Sequence, residues 1–108
     1  MLKILEQKKI FIECINKKQK IEVTFKPKDK NVVTRICIPF DYGPSARFKD
    51  GVDRFHFYDL NSPEGRHNLS ILPMQVIELK LLQETFDPAD YITWTPKWLF
   101  ARDWGCYS

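Results

Sequence analysis

No stretch of this chain approaches the roughly 20 consecutive apolar residues of a membrane-spanning helix. Met1 to Ile10 is interrupted by Lys3, Glu6, Lys8 and Lys9 and has no apolar h-region, so no signal peptide is expected. Cysteine is scarce. Cys14, Cys37 and Cys106 are odd in number and far apart, which argues against a disulfide framework and points to a reducing cytoplasm. The two histidines, His56 and His67, form no ligand-spaced cluster with them, so neither a metal nor a cofactor is expected and the thiols are expected buried or half-buried. There is no GxGxxG, no GxxxxGK followed by Ser or Thr, no GxSxG, no HExxH and no CxxC. Asp50 and Asp53 lack the rest of a calcium loop, and Ser45 makes a triad with a His and an Asp only on paper. Without a convergent acid–base set, no catalytic residue is assigned and no enzyme is expected.

What the chain does have is enough apolar material for one core. Of its 108 residues, 44% are hydrophobic and 14% aromatic, and 29% charged residues exclude a disordered or collagen-like chain. The net charge of +3 is uneven: residues 1–30 carry nine Lys against four acids, while the rest of the chain is slightly acidic. Such a Lys-rich third either attracts phosphates or simply faces water, and nucleic-acid domains are usually more basic.

Ile4, Leu5, Phe11, Ile12 and Ile15 fall on one helical stripe, widened by Ile10 and Cys14, and the helix should fade near residues 16–18. The period then switches to two. Ile21, Val23 and Phe25 mark a strand, residues 27–31 a turn, and Val32 to Phe40 a second strand with Val33, Arg35, Cys37 and Pro39 on one face. Asp41 to Asp53 reads as a long loop. Strands are expected at Arg54–Leu60, Arg66–Leu72 and Val76–Leu82, with turns at 61–65 and at Met74-Gln75. Ile21, Val23, Phe25, Ile36, Ile38, Ile77 and Leu79 should lie inside. The chain then divides into a helix-plus-barrel domain, residues 1–88, and a tail, residues 89–108. The tail holds Tyr91, Trp94, Trp98, Phe100, Trp104 and Tyr107 and should pack on the barrel or on a partner subunit, because each buried ring contributes about 1.5–3 kcal/mol.

Several phrases, in order, resemble the bacterial WYL domain. "IFIECINKKQKIEVTF" is similar to its opening helix, basic turn and strand, and "TRICIPF" to a strand ending in Pro. "RFHFYDL" sits where the name motif belongs, with Phe57, Tyr58 and Leu60 as counterparts and Asp59 inserted before the Leu. "GRHNLSILPMQVIELKLLQETFDP" resembles the closing hairpin, through Phe86. The likeness covers roughly residues 4–88. It implies a mainly β fold, an SH3-like or Sm-like antiparallel barrel of about five strands with an N-terminal helix. It also implies a regulatory, ligand-sensing role toward nucleotides or nucleic-acid-like anions. The chain departs from the family in having no helix-turn-helix and in adding the Trp-rich tail.

The candidate ligand-binding residues are Arg47, Arg54, Tyr58, Arg66 and His67. Arg forks match phosphate oxygens, and Tyr or His rings can stack on a base. Arg54, His56 and Tyr58 share a strand face, Arg66 lies across the turn, and His67 should point to the other side. The alternative is that Arg54 and Arg66 pair locally with Asp53 and Glu64 and that Tyr58 is a core ring; Arg102 is likewise expected to pair with Asp103. The partners expected are a nucleotide or single-stranded nucleic acid or, in the competing reading of a protein-interaction module, a protein partner or homodimer, with no membrane contact.

Overall fold

The first helix buries a line that skips its most apolar-looking residue. In the computed structural model α1 spans Leu2–Lys17, and Gln7, Phe11, Cys14 and Ile15, spaced i, i+4, i+7 and i+8, are its buried side. Leu5, placed on the stripe by periodicity, is 54% exposed, whereas Gln7 is buried and donates from Nε2 to the Val76 carbonyl at 3.5 Å. The structure describes residues 2–28, 30–44, 50–63, 65–93, 96, 98–99, 102–105 and 108, without the side chains of 2–4 and 67. The helix ends where Lys18 takes a left-handed φ of 54° and its N–H bonds the Ile15 carbonyl at 3.3 Å.

Five antiparallel strands follow: β1 (Gln19–Phe25), β2 (Val33–Pro44), β3 (Asp53–Asp59), β4 (His67–Ile71) and β5 (Val76–Thr85), in the spatial order β4-β3-β2-β1-β5. The sheet is open, since β4 and β5 are its two edges rather than neighbours, so the expected closed barrel is corrected to a curled sheet. Curling is forced by the short connection between those edges. Four strand spacings of about 4.8 Å would make a flat sheet about 19 Å wide. Only residues 72–75 join β4 to β5, and Pro73–Gln75 is a 3-10 turn, which rises only about 2 Å per residue. Inside the curl, α1 lies against β5, β1 and β2, and Phe11 packs 5.1 Å from Phe55 and 5.3 Å from Phe57.

Two bulges account for the main departures from the expected strands. Pro39 pairs with Phe57 and Asp41 with His56, so Phe40 is an extra residue. A bulge lets a strand continue past a proline that cannot donate to the ladder. Residues 41–44 therefore belong to β2 and the expected long loop shrinks to 45–52, of which 45–49 lie outside the described residues. On β5, Phe25 faces Val76 and Thr24 faces Glu78, leaving Ile77 as the bulged residue. It is 43% exposed, against expectation, while Val76 and Leu79 on either side are buried.

The second face of β2 is also covered. Cys37 and Ile38 alternate in direction, yet both are 0% exposed. The cover is the chain after β5: a 3-10 turn at Pro88–Asp90, capped by Asp87, and then Tyr91, Ile92, Trp98 and Trp104. Phe40 meets Tyr58 and Trp98 at ring distances of 5.9 and 5.7 Å, and Tyr58 meets Tyr91 at 5.8 Å. Trp104 is buried against Phe86 and Trp98 and donates its indole N–H to the Ile15 carbonyl at 2.8 Å, at the end of α1. The tail thus packs on its own sheet at Trp98 and Trp104; Trp94 lies outside the described residues. No helix among the described residues is long and apolar enough to cross a membrane.

Candidate functional site

Of the five sequence-derived residues, the side chains of Arg54, Tyr58 and Arg66 are among the described ones. Arg54 turns back on its own loop, donating to both carboxylate oxygens of Asp50 at 2.9 Å. That fork, helped by the Val52 N–H, holds the Asp50 carboxyl at about 2, below its ordinary value. The partner is therefore Asp50, not Asp53. His56 is engaged at both nitrogens. Nε2 lies 2.9 Å from the Gly43 carbonyl, an obligate acceptor, so Nε2 carries the hydrogen and in the neutral ring Nδ1 accepts from the Ser70 hydroxyl at 2.8 Å. Tyr58 is half-buried between Phe40 and Tyr91, a packed ring rather than an open stacking platform. Arg66 is exposed just before β4, Arg47 lies outside the described residues, and for His67 only the backbone is described, opposite Asp59.

A different cluster forms at the end of the sheet where the β1–β2 and β3–β4 turns approach each other. A groove of about 310 Å³ opens there. Phe25, Val33 and Leu69 form apolar walls, Pro27 and Pro63 come from the two turns, and Lys30, Arg35, Asp59 and Ser62 supply the polar groups. Register explains the assembly. Phe25 faces Val33, Val23 faces Arg35 and Cys37 faces Asp59, so these residues share the inner face of the sheet. Arg35 and Asp59 are thus charges on otherwise apolar strand faces, placed where the core runs out.

Asp59 is 2% exposed and makes the groove's fixed anchor. Its Oδ1 accepts the Asn61 N–H at 3.1 Å and its Oδ2 stands 3.4 Å from Arg35 Nε. Asn61 in turn accepts from the Ile36 N–H at 2.9 Å, tying the end of β3 to β2. Arg35 also reaches the Thr34 carbonyl through Nη1 at 3.3 Å. Its Nη2 has no protein partner among the described residues, and its side chain is 22% exposed. The guanidinium is therefore fixed along one edge and open along another. The nearby Cys37 thiol is pushed well above its ordinary value, first by burial and then by Asp59, and burial pushes Cys14 up to about 12. Neither is a ready nucleophile. No cluster of three or more His, Cys, Asp or Glu able to hold a metal exists among the described residues, and Cys106 lies outside them.

The tail's charged residue has a different role. Arg102 does not pair with Asp103, which is exposed. Its wholly buried guanidinium lies 4.0 Å from the Trp98 ring centroid and 4.6 Å from that of Trp104. Nη1 donates to the Phe40 carbonyl, and Nη2 stands 3.4 Å from Asp41 Oδ1. Asp41 Oδ2 accepts the Leu99 N–H at 2.8 Å. This is a clasp, with the bulge at Phe40 providing the catch.

No protein-family model, no curated protein and no solved structure matches this chain.

The groove was absent from the sequence-derived site, although a signal for it existed. Alternation puts Arg35 with Val33 and Cys37, and Asp59 with Phe55 and Phe57. A charge embedded in an apolar face is a stronger pointer than a charge beside a ring, because burying it requires a partner.

Proposed function

We propose that the chain is a non-enzymatic, ligand-binding regulatory module of WYL-like type, and that it takes a small anion in the groove at Arg35. The observation that carries this reading is the half-used guanidinium lining a cavity of about 310 Å³, a volume at the lower end of ligand sites. Lys30 adds a second cation, and the exposed Arg66 lies one residue before the strand that supplies Leu69. The leading helix, the curled five-strand sheet and the return of β5 beside β1 support an SH3-like or Sm-like class for the fold. Free, buried Cys14 and Cys37 suit a reducing cytoplasm.

The test is an amide-shift titration of the full chain with inorganic phosphate, adenosine monophosphate and acetate, at low and at raised salt. Shifts should cluster at residues 33–36, 59–62 and 69, weaken with salt, and vanish in Arg35→Ala but not in Arg54→Ala. Shifts that gather instead around Arg54 and Tyr58, or none with any anion, would overturn it.

The competing reading is a protein-interaction module. Its specific support is the edge strand β5, where Ile77 is 43% exposed, together with Met74 in the turn before it at 86%. The described tail rings face inward and are not the contact in this reading. Concentration-dependent sedimentation of wild type but not of Ile77→Lys would favour it.

A further inference from the structure

We infer that the groove selects a monoanion with a compact apolar body, of the aryl or branched aliphatic carboxylate class, over a polyphosphate. This rests on the anion-binding reading and narrows it.

The first argument is charge. Among the described lining residues, Lys30 and Arg35 are opposed by Asp59, leaving one net positive charge. Asp59 is buried and fixed by the Asn61 N–H, so it cannot swing away when a ligand arrives. An anion on the open edge of Arg35 stands one guanidinium width from that carboxylate. One negative charge is neutralised there, while further charges meet Asp59 in a partly desolvated site where repulsion is poorly screened.

The second argument is surface. Phe25, Val33, Leu69, Pro27 and Pro63 outnumber the polar lining groups. Phosphate oxygens laid against them would lose water and find no donor. A phenyl or branched alkyl body there exchanges water for apolar contact. The third argument is size, since a groove of about 310 Å³ is at the lower end of ligand sites and matches a small acid more closely than a base, a sugar and a phosphate chain together.

The probes are phenylacetate, acetate, 2-phenylethanol and adenosine triphosphate, titrated against the full chain with amide shifts as the readout. Phenylacetate should bind about tenfold or more tighter than acetate, which lacks the ring, and than 2-phenylethanol, which lacks the charge. Arg35→Lys, which keeps the charge and the pairing with Asp59, should weaken phenylacetate by severalfold by removing the fork. Leu69→Ala should weaken phenylacetate and leave acetate unchanged. Tight triphosphate binding at residues 33–36 and 59–62, with phenylacetate no better than acetate, overturns the ligand class while leaving an anion site at Arg35. No response of those residues to any probe overturns both.

Discussion

Two arginine–aspartate pairs hold this molecule's opposite faces at the same 3.4 Å separation, but they are buried the other way round. In the clasp, Arg102 is 0% exposed and Asp41 is the more open partner at 12%. In the groove, Asp59 is 2% exposed and Arg35 is open at 22%. What separates them is the cover over the rest of the guanidinium. Arg102 has an indole at 4.0 Å, another at 4.6 Å, and the Phe40 carbonyl on its edge. Burial pushes its pKa down to about 10, and Asp41 opposes that shift. Among the described residues, Arg35 has no such lid. An ion pair is structural when every side of it is occupied by the protein and receptive when one side is left to solvent, and its distance reports neither.

The comparison breaks most visibly at the clasp. Trp104→Ala removes a ring that touches Phe86, Trp98 and Arg102 and bonds the end of α1, and it should lower unfolding free energy by about 3–5 kcal/mol in urea titration. Arg102→Met should cost about 3 kcal/mol, because the buried Asp41 carboxylate then loses the guanidinium beside it. Arg35→Met should cost less, about 1–2 kcal/mol, since water can reach Asp59 where the guanidinium stood. Equal losses at Arg102 and Arg35 would erase the distinction between a closed pair and an open one.

A smaller effect sharpens the same contrast through the backbone. Gly43 has φ 147°, which side-chain-bearing residues rarely adopt, and a Cβ there would collide with Leu99 Cδ1. Gly43→Ala should cost about 1–3 kcal/mol. Leu99 is 60% exposed, so Leu99→Ala alone should be nearly silent and should recover part of the Gly43→Ala loss. Full recovery would assign the cost to the collision, and no recovery would assign it to the backbone angle. If Gly43→Ala is neutral, neither the collision nor the backbone angle carries a cost.

The helix, the order of the strands and the inner row Ile21, Val23 and Phe25 were legible because a local period repeated long enough to reveal a face. The extra residues Phe40 and Ile77 were not, since a bulge is a property of two paired strands and has no period of its own. Gln7 falls off the helical stripe because it is polar, and the carbonyl it meets when buried is 69 positions away. Alternation places Ile36 and Ile38 inside, but register puts Cys37 with Ile21 on the inner row, and Ile38 is buried on the other face because the aromatic tail turns the outside of β2 into a second core. On the expected anion face, Arg54 meets Asp50 on the loop before β3, a partner that alternation along the strand does not reveal. Arg35 and Asp59 were readable as misplaced charges, but only pairing shows that they are neighbours.

The smallest expected effect lies at that Asp50–Arg54 fork, and it is a question of pH. Asp50 sits at about 2 in the fold against an ordinary 3.8, through the hydrogen bonds from Arg54 and from the Val52 N–H. A depressed carboxyl means that the unfolded chain binds more protons as pH falls, so the contribution is fully present above the unfolded value and is lost between about 4 and about 2. The pair is at the surface on its acid side, so screening keeps the contribution small. Thermal melts of Asp50→Asn should differ from wild type slightly at neutral pH and converge with it at the acid end of that window. Added salt should shrink the neutral-pH difference. Curves that stay parallel down to the acid end would mean that Asp50 acts through its backbone turn and not through its charge.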